Sequence, residues 1–221
     1  MEESDIRSIG IPIAGGRGEL PGDLTVAPGS TGLVIFAHGS GSSRLSPRNT
    51  MVARRLAERG FATVLFDLLT EAEAMDRGNV FDIPLLAERV VEAIRWATSD
   101  PRVSDLPIGL FGSSTGAAAA LVAASNEPSD VAAVVSRGGR PDLADAALPN
   151  VRAATLLIVG GADYGVIELN EPAYQRLTCE ARLEIVPGAT HLFEEPGALE
   201  AVVDLAAGWF SDHFPPAAPR A

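Results

Sequence analysis

The sequence predicts an α/β protein with a doubly wound, mostly parallel sheet of about seven or eight strands flanked by helices. Short, continuous apolar runs such as Leu33–Ala37 and Ala62–Phe66 are typical of parallel strands that are buried on both faces. Segments with helical periodicity separate these runs along the chain. Polar residues follow several of the runs directly, and in such a sheet the carboxyl ends of the strands form the ligand-binding edge.

The first part of the chain predicts a hairpin followed by a strand, a helix and a strand. Isoleucines alternate at positions 9, 11 and 13, and after a glycine-rich turn a second extended segment runs to about residue 26. The run at 33–37 is the next strand, and Ser46 with Pro47 starts a helix that ends at Gly60. A buried strand at 62–66 follows, and we expect an acidic, irregular loop over 68–80.

The rest of the chain continues the alternation of helices and strands. Asp82 and Pro84 open a long helix with apolar residues at steps of about four. The later elements are predicted as strands at 108–111, 131–136, 155–159 and 182–186, helices at 117–124, 168–177 and 197–213, and a short helical segment near Leu143. The connection between the strands at 131–136 and 155–159 is too short for a lid domain, so we expect an open site.

Length and composition narrow the class of protein. A chain of 221 residues suits one domain, predicted over 1–214, with a flexible proline-rich tail over 215–221. The net charge of −12 opposes binding to nucleic acid or to anionic membranes. Every basic residue is an arginine, which excludes a Walker-type phosphate loop, a Schiff base and a lysine general base.

Cysteine content and hydropathy indicate the compartment. Cys179 is the only cysteine, so no internal disulfide is possible and a reducing compartment is favoured. The acidic N-terminus is followed by no long apolar segment, and no apolar run approaches membrane-spanning length. We therefore expect a soluble, cytoplasmic protein.

A candidate nucleophile lies where a predicted strand turns sharply into a helix. The sequence there is Gly112-Ser113-Ser114-Thr115-Gly116. Glycines on both sides allow a tight turn and a close approach of the helix to the sheet, which leaves the Ser114 hydroxyl exposed. The helix N-terminus behind it favours developing negative charge. The motif also occurs by chance in turns, so its strand-to-helix setting is what gives it weight.

Two residues after later strands complete a candidate triad with this serine. His191 follows the last predicted strand, where a neutral imidazole can take the Ser114 proton and return it to a leaving group. Asp163 follows the preceding strand and can orient the imidazole, although Gly-Gly-Ala-Asp also suits a plain turn. Glu168 is the reserve acid, but a capping or surface role suits its place near a helix start better.

The segment after the strand at 33–37 is a candidate oxyanion loop. The backbone N–H groups of Ser40 and Thr115 are the predicted donors, because Thr115 follows the nucleophile and Ser40 follows His38-Gly39. Gly39 and Gly41 are expected to border bound substrate, and His38 to shape the loop by internal hydrogen bonding. A phosphate cradle is the alternative, but the lysine and the spacing it needs are missing.

Arg137 and Arg140 form an ambiguous pair after the strand at 131–136. A guanidinium at this edge can bind a substrate carboxylate through two parallel hydrogen bonds. The structural alternative is a salt bridge to one of the many acids, which we favour for Arg140. For Arg137 both interpretations stay open.

The chain resembles the α/β-hydrolases, and among them the compact dienelactone-hydrolase-like group, from about residue 9 to residue 214. The resemblance rests on His-Gly-x-Gly at 38–41, Gly-x-Ser-x-Gly at 112–116, Gly-x-x-Asp at 160–163 and Gly-x-x-His at 188–191. The order Ser, Asp, His is the one this fold uses. The stretches 110–120 and 136–141 are similar to bacterial hydrolase domains that sometimes follow a phosphoribosyltransferase domain in one polypeptide.

The resemblance implies a serine carboxylesterase that works through an acyl-enzyme, with no metal and no cofactor. Dienelactone hydrolases proper use a cysteine nucleophile, so Ser114 favours ordinary, short-chain or activated carboxylic esters. Hydrolysis of thioesters or lactones, or an idle binding domain on the same fold, are the alternatives. The expected partner is a small-molecule ester, with no nucleic acid and no membrane, and the expected state is a monomer or weak dimer.

Overall fold

The computed structural model describes residues 5–215, with the side chain of Asp5 left out, and its centre is one eight-stranded sheet. The strands are β1 (Asp5–Pro12), β2 (Glu19–Val26), β3 (Leu33–Ala37), β4 (Ala62–Phe66), β5 (Ile108–Ser113), β6 (Val131–Arg137), β7 (Ala154–Gly160) and β8 (Ala181–Val186). Their order across the sheet is β1-β2-β4-β3-β5-β6-β7-β8.

Seven α-helices and a 3₁₀ segment connect the described strands. The helices are α1 (Pro47–Ala57), α2 (Glu71–Ala74), α3 (Arg77–Val80), α4 (Ile83–Ser99), α5 (Thr115–Asn126), α6 (Tyr164–Arg176) and α7 (Ala198–His213), and the 3₁₀ segment is Pro141–Asn150. Over residues 5–215, none of these helices has the length and hydropathy needed to cross a membrane.

The sheet confirms the predicted doubly wound, mostly parallel architecture. β1 and β2 form the predicted antiparallel hairpin, and β2 also pairs antiparallel with β4. The remaining pairs are all parallel, and they are β4–β3, β3–β5, β5–β6, β6–β7 and β7–β8. Every residue of β3, β4, β5 and β7 is buried, because helices cover both faces of the central strands. No separate lid domain interrupts the described chain.

The two faces of the sheet have separate cores. Apolar residues of α4 and α5 pack with Leu33 and Ile35 of β3 on one face. Those of α1 and α7 pack with Val34 and Phe36 on the other face. The alternation along β3 follows from the period of two in a strand. Asp82 caps α4 by accepting a hydrogen bond from the Leu85 N–H at 3.0 Å.

The prediction of an irregular loop over 68–80 is wrong, because two short helices, α2 and α3, occupy it. Thr70 and Glu73 form a capping box at the start of α2, and Asp76 accepts a hydrogen bond from the Gly78 N–H at 2.8 Å at the start of α3. The polar side chains of Thr70 and Asp76, which are typical of loops, are therefore the N-caps of these two helices. Most of the predicted tail, residues 216–221, lies outside the described residues.

Candidate active site

The strand register brings the predicted site segments to one edge of the sheet. Ala37 at the end of β3 pairs with Gly112 in β5, and Ser113 at the end of β5 pairs with Arg137 in β6. Gly160 at the end of β7 pairs with Val186 at the end of β8. The loops that carry the candidate residues therefore leave the sheet side by side.

Ser114 occupies a strained turn between β5 and α5. Its backbone has φ 51° and ψ −123°, a conformation that costs energy in a residue with a Cβ and persists only where the surrounding structure enforces it. The enforcement comes from close packing. A Cβ at Gly116 would collide with the carbonyl oxygens of Ala37 and His38, and one at Gly39 would lie 3.0 Å from the Ser114 Cβ. The turn therefore presents the serine at the sheet edge.

His191 lies in the loop between β8 and α7, and its ring is oriented by Asp163. The Nδ1 atom of His191 lies 2.7 Å from the Asp163 Oδ2 atom. Because an ionised carboxylate only accepts, this bond places a proton on Nδ1 and leaves Nε2 free to act as a base. The Asp163 side chain is 16% exposed and the His191 side chain 39% exposed, so the imidazole faces the solvent side of the pair.

The Ser114 hydroxyl makes no hydrogen bond to His191 or to any other group within residues 5–215. A rotation of a serine side chain is enough to change such a contact, and catalytic hydrogen bonds are often long before substrate binds. The reserve acid, Glu168, is exposed on α6 and lies beyond the first turn of that helix, which begins earlier than predicted.

His38 holds the loop after β3 through both ring nitrogens. The Leu68 N–H donates to its Nε2 atom at 3.1 Å, so Nδ1 carries the proton and donates to the Gly39 carbonyl at 3.0 Å. Burial lowers the pKa of His38, with the Gly39 hydrogen bond and Asp67 acting in the opposite direction. The ring is therefore neutral and serves as a fixed brace between the loop and the segment after β4.

The two predicted oxyanion donors, the N–H groups of Ser40 and Thr115, belong to segments that touch, and the Ser40 N–H already has an acceptor. The Ser40 N–H donates to the Thr115 Oγ1 atom at 2.8 Å, a contact that the sequence did not reveal. The Thr115 N–H is the first of α5 and has no acceptor within the helix. Gly41 adopts a positive φ of 69° in the same loop. The Thr115 side chain thus holds the loop after β3 against the turn at Ser114.

A cavity of about 260 Å³ opens beside this loop. Residues 38–43 and 67–69 line it, together with Glu71, Ala74, Val80 and Leu86. The α2 part of the wall is anchored by Arg89, which is fully buried and lies 2.6 Å from Glu73 and 2.9 Å from Glu92. A small apolar chamber therefore adjoins the point where Gly39 meets Ser114.

Arg137 at the end of β6 and Arg140 just beyond it make different contacts. Arg140 forms the ion pair that we favoured for it, with Asp142 at 2.8 Å. Arg137 is only 8% exposed, and its Nε and Nη1 atoms are buried without a hydrogen-bond partner. Burial lowers the pKa of Arg137 to about 10, with a further contribution from Arg48, so the side chain still carries its charge at neutral pH.

No pattern in the sequence marks Arg48 or the Thr115 hydroxyl. Arg48 lies at the start of α1 and pairs with Glu194 at 2.9 Å, across a wide separation in sequence. No spacing pattern marks such a contact. Over residues 5–215, no group of three His, Cys, Asp or Glu side chains is arranged to hold a metal ion.

Comparison with known proteins identifies relatives of this chain. A family model described as "Dienelactone hydrolase family" matches residues 25–208. Two Mycobacterium tuberculosis proteins, from strains CDC 1551 and H37Rv, carry the words phosphoribosyl transferase in their names and are each 54% identical over 209 residues. The match covers 95% of this chain and 47% of each relative, so the chain spans about half of their length.

Solved structures extend the comparison to the fold. The crystal structure of a dienelactone hydrolase from Anabaena variabilis ATCC 29413 has a TM-score of 0.91 and 52% identity, and covers 95% of this chain and 99% of that one. Est1E from Butyrivibrio proteoclasticus has a TM-score of 0.78 at 16% identity, covers 93% of this chain and 98% of that one, and thus shares the fold. This fold and the matched family support hydrolase activity. The chain belongs to the dienelactone hydrolase family.

Proposed function

We propose that this chain is a serine hydrolase that cleaves carboxylic esters through an acyl-enzyme intermediate. The observation that carries the proposal is that a half-buried Ser114, held in a strained turn, lies at the same sheet edge as a His191 imidazole, whose Nδ1 atom is 2.7 Å from the Asp163 carboxylate. A nucleophile, a base and an orienting carboxylate at the same sheet edge form the constellation that acyl transfer requires.

The proposed reaction has two balanced halves. Ser114 Oγ attacks the ester carbonyl while His191 Nε2 takes its proton, and the carbon–oxygen bond to the alcohol breaks as the imidazolium returns that proton to the leaving oxygen. Water then attacks the acyl-enzyme with the same base, which releases the carboxylic acid and restores the serine. Asp163 keeps the proton on Nδ1 and stabilises the imidazolium.

The negative charge on the carbonyl oxygen needs backbone donors. We propose the Thr115 N–H, at the positive end of α5, as one donor and the Ser40 N–H as the second. The Ser40 N–H points at the Thr115 hydroxyl, so in this scheme it shares its hydrogen bond with the oxyanion or transfers it when substrate binds. Gly39 and Gly41 border the substrate in the same loop.

The cavity beside the loop suggests the size of the acyl group. A chamber of about 260 Å³ walled by Leu68, Val80 and Leu86 suits a short apolar chain better than a long one. We therefore propose short-chain or activated esters as substrates. A lactone is the second candidate, because a relative with 52% identity is named a dienelactone hydrolase and ring opening uses the same steps.

We further propose that the chain acts without a cofactor, in the cytoplasm, on a small molecule, as a monomer or weak dimer that binds neither nucleic acid nor membrane. The net charge of −12 supports the last point, since it repels polyanions. The relatives named phosphoribosyl transferase are about twice as long, so any activity of such a whole protein lies outside this proposal.

Hydrolysis of 4-nitrophenyl esters from acetate to decanoate tests the proposal, with the wild-type protein and Ser114→Ala in parallel. We expect activity that declines as the acyl chain outgrows the cavity and that disappears in the variant. Undiminished hydrolysis by Ser114→Ala would remove this serine from its role. A dienelactone offered in the same assay distinguishes the lactone alternative from the ester.

A further inference from the structure

Arg137 is a buried cation without an anion. Its side chain is 8% exposed, and two of its guanidinium nitrogens, Nε and Nη1, are buried with no acceptor. No carboxylate within residues 5–215 forms an ion pair with it. A buried, unpaired charge costs several kcal/mol, so a fold that retains one under a candidate active site needs a compensating interaction.

A second arginine, Arg48, lies close enough to Arg137 to add to the unfavourable positive charge. The positive charge of Arg48 lowers the pKa of Arg137, and the Nε atom of Arg48 is itself buried without a partner. The only carboxylate that the described structure places on either residue is Glu194, which is 64% exposed in its side chain and pairs with Arg48. Within the described structure, Arg48 therefore has one solvent-screened anion and Arg137 has none.

The start of α1 adds to the positive potential. Arg48 belongs to the first turn of this helix, whose amino end carries a partial positive charge. Ser46 at the N-cap position makes no side-chain capping bond, so the first N–H groups of the helix are not covered by that side chain. Two guanidinium groups and an uncapped helix end together suit a ligand with several oxygen atoms and a negative charge.

The arginines lie on the His191 side of the candidate site. Arg137 shares a strand face with Val135, which packs in the core of α1 and α7, whereas the acyl-sized cavity is walled by Leu86 of α4 on the opposite face. A Cβ at Gly138, next to Arg137, would lie 3.6 Å from the His191 Cε1 atom. Arg48 reaches Glu194 in the loop that carries His191.

This placement indicates which part of a substrate the arginines would meet. In the proposed reaction His191 gives its proton to the leaving alcohol, so the alcohol lies at the imidazole. The acyl group lies in the cavity beside the oxyanion loop, on the other face. A negative group that reaches Arg137 and Arg48 is therefore attached to the alcohol.

We propose that Arg137 and Arg48 bind an oxyanionic group, a carboxylate or a phosphate, carried by the alcohol of the ester that this site hydrolyses. The inference rests on the proposed ester hydrolysis and narrows it to acyl esters of hydroxy acids or of phosphorylated alcohols. The bond that breaks remains the one between the acyl carbon and the alcohol oxygen, and the anionic alcohol leaves with the proton from His191.

Three butyrate esters with matched alcohols test this site. They are 2-methoxyethyl butyrate, which is neutral, the butyrate ester of glycolate, which carries a carboxylate, and 2-(butyryloxy)ethyl phosphate. We expect kcat/KM for at least one anionic ester to exceed that for the neutral ester by roughly tenfold to 100-fold, the range for one or two charge-assisted hydrogen bonds. The preferred anionic ester distinguishes a carboxylate from a phosphate.

Substitutions separate the arginines from general charge effects. Arg48→Gln and Arg137→Met should each lower the ratio of kcat/KM for the anionic over the neutral ester by about tenfold. Arg55→Gln is the matched control, because Arg55 lies on the same helix, pairs with the exposed Glu58 and carries the same charge. It should leave the ratio unchanged. If Arg137→Met misfolds, Arg48→Gln, on the more exposed partner, still reports the ratio.

The possible outcomes keep the two proposals apart. Hydrolysis of the neutral ester with no anionic preference, or a preference that survives both substitutions, overturns this inference and leaves the ester hydrolase standing. Should no ester be cleaved, the proposed function fails, and the anion site is then judged by melting temperature with inorganic phosphate and with glycolate. A rise that is larger in the wild-type protein than in Arg137→Met supports the site, and equal rises refute it.

Discussion

The Asp163 Oδ2 atom lies 2.7 Å from the Nδ1 atom of His191, while the Ser114 hydroxyl makes no hydrogen bond within the described residues. In the proposed mechanism, the base is therefore oriented before the nucleophile engages it. A carboxylate that is 16% exposed keeps the proton on Nδ1 and leaves Nε2 without a proton. This arrangement makes the role of each residue separately testable.

Replacement of Asp163 by asparagine should preserve the shape of the site and destroy the preferred imidazole tautomer. Because an amide can donate as well as accept, His191 would present the wrong nitrogen to Ser114, and we expect kcat on a 4-nitrophenyl ester to fall by about 10³–10⁴-fold. The measurement is steady-state hydrolysis together with a thermal melt to show that the variant is folded. Glu168→Gln, at the exposed reserve acid, is the control and should retain activity; equal losses in both variants would contradict the assignment.

The contact between Ser40 and Thr115 predicts a specific loss of catalysis. The Ser40 N–H donates to the Thr115 hydroxyl at 2.8 Å, which holds the candidate oxyanion loop against the turn at Ser114. Thr115→Val keeps the side-chain shape but removes the acceptor, and a displaced donor should lower kcat by about tenfold or more.

Thr115→Ser serves as the matched control for that loop contact, since it retains the hydroxyl. We expect it to stay within about twofold of the wild-type kcat because the hydrogen bond can persist. Equal or higher activity in Thr115→Val would show that the hydroxyl competes with the oxyanion for the Ser40 N–H and does not position the loop.

His38 predicts how stability depends on pH. Burial lowers its pKa in the folded state, whereas the unfolded chain titrates near the ordinary value of 6.5. Below that pH the unfolded state binds a proton that the folded state excludes, so the free energy of unfolding falls as the pH decreases, by up to about 1.4 kcal/mol per pH unit. The fall levels off below the folded pKa.

Urea unfolding at about pH 7 and about pH 5 measures this effect. Both pH values lie above the range in which acids such as Glu73 contribute most to the pH dependence of stability. Glu73 has a lowered pKa, so the stability that it contributes is lost only below its ordinary value of 4.5. His38→Gln keeps one donor and one acceptor but does not titrate, and it should flatten the dependence between these two pH values. An unchanged slope in the variant would assign the effect to other groups.

The sheet, and the edge of it that carries the candidate site residues, could be predicted from the sequence because both depend on local pattern. Continuous apolar runs mark strands buried on both faces, and the residues that follow them must emerge together. The strand-to-helix turn at Ser114 is equally local, since Gly112 and Gly116 are needed where the chain turns tightly. The Asp163–His191 contact followed from these strand ends and required no knowledge of side-chain packing.

The remaining features depend on contacts between distant segments, which carry no local pattern. Helix α2 occupies the predicted loop because Thr70 and Glu73 cap it and the buried Arg89 anchors Glu73 from α4. The Ser40 amide is occupied because a hydroxyl on another segment meets it. Arg137 at the end of β6 and Arg48 in α1 lie on separate elements and approach each other only in the folded structure, so the sequence left the role of Arg137 open.

Trapping of the acyl-enzyme tests the central claim most directly. The protein is mixed with 4-nitrophenyl butyrate, quenched in acid during the first turnover, and analysed by intact mass and by fragmentation of the peptide that contains the turn after β5. We expect a mass increase of one butyryl group, located on Ser114, that is absent in Ser114→Ala and present in Ser113→Ala, whose hydroxyl is buried against Asn49. A butyryl group located on another residue, or one that persists in Ser114→Ala, would contradict the account.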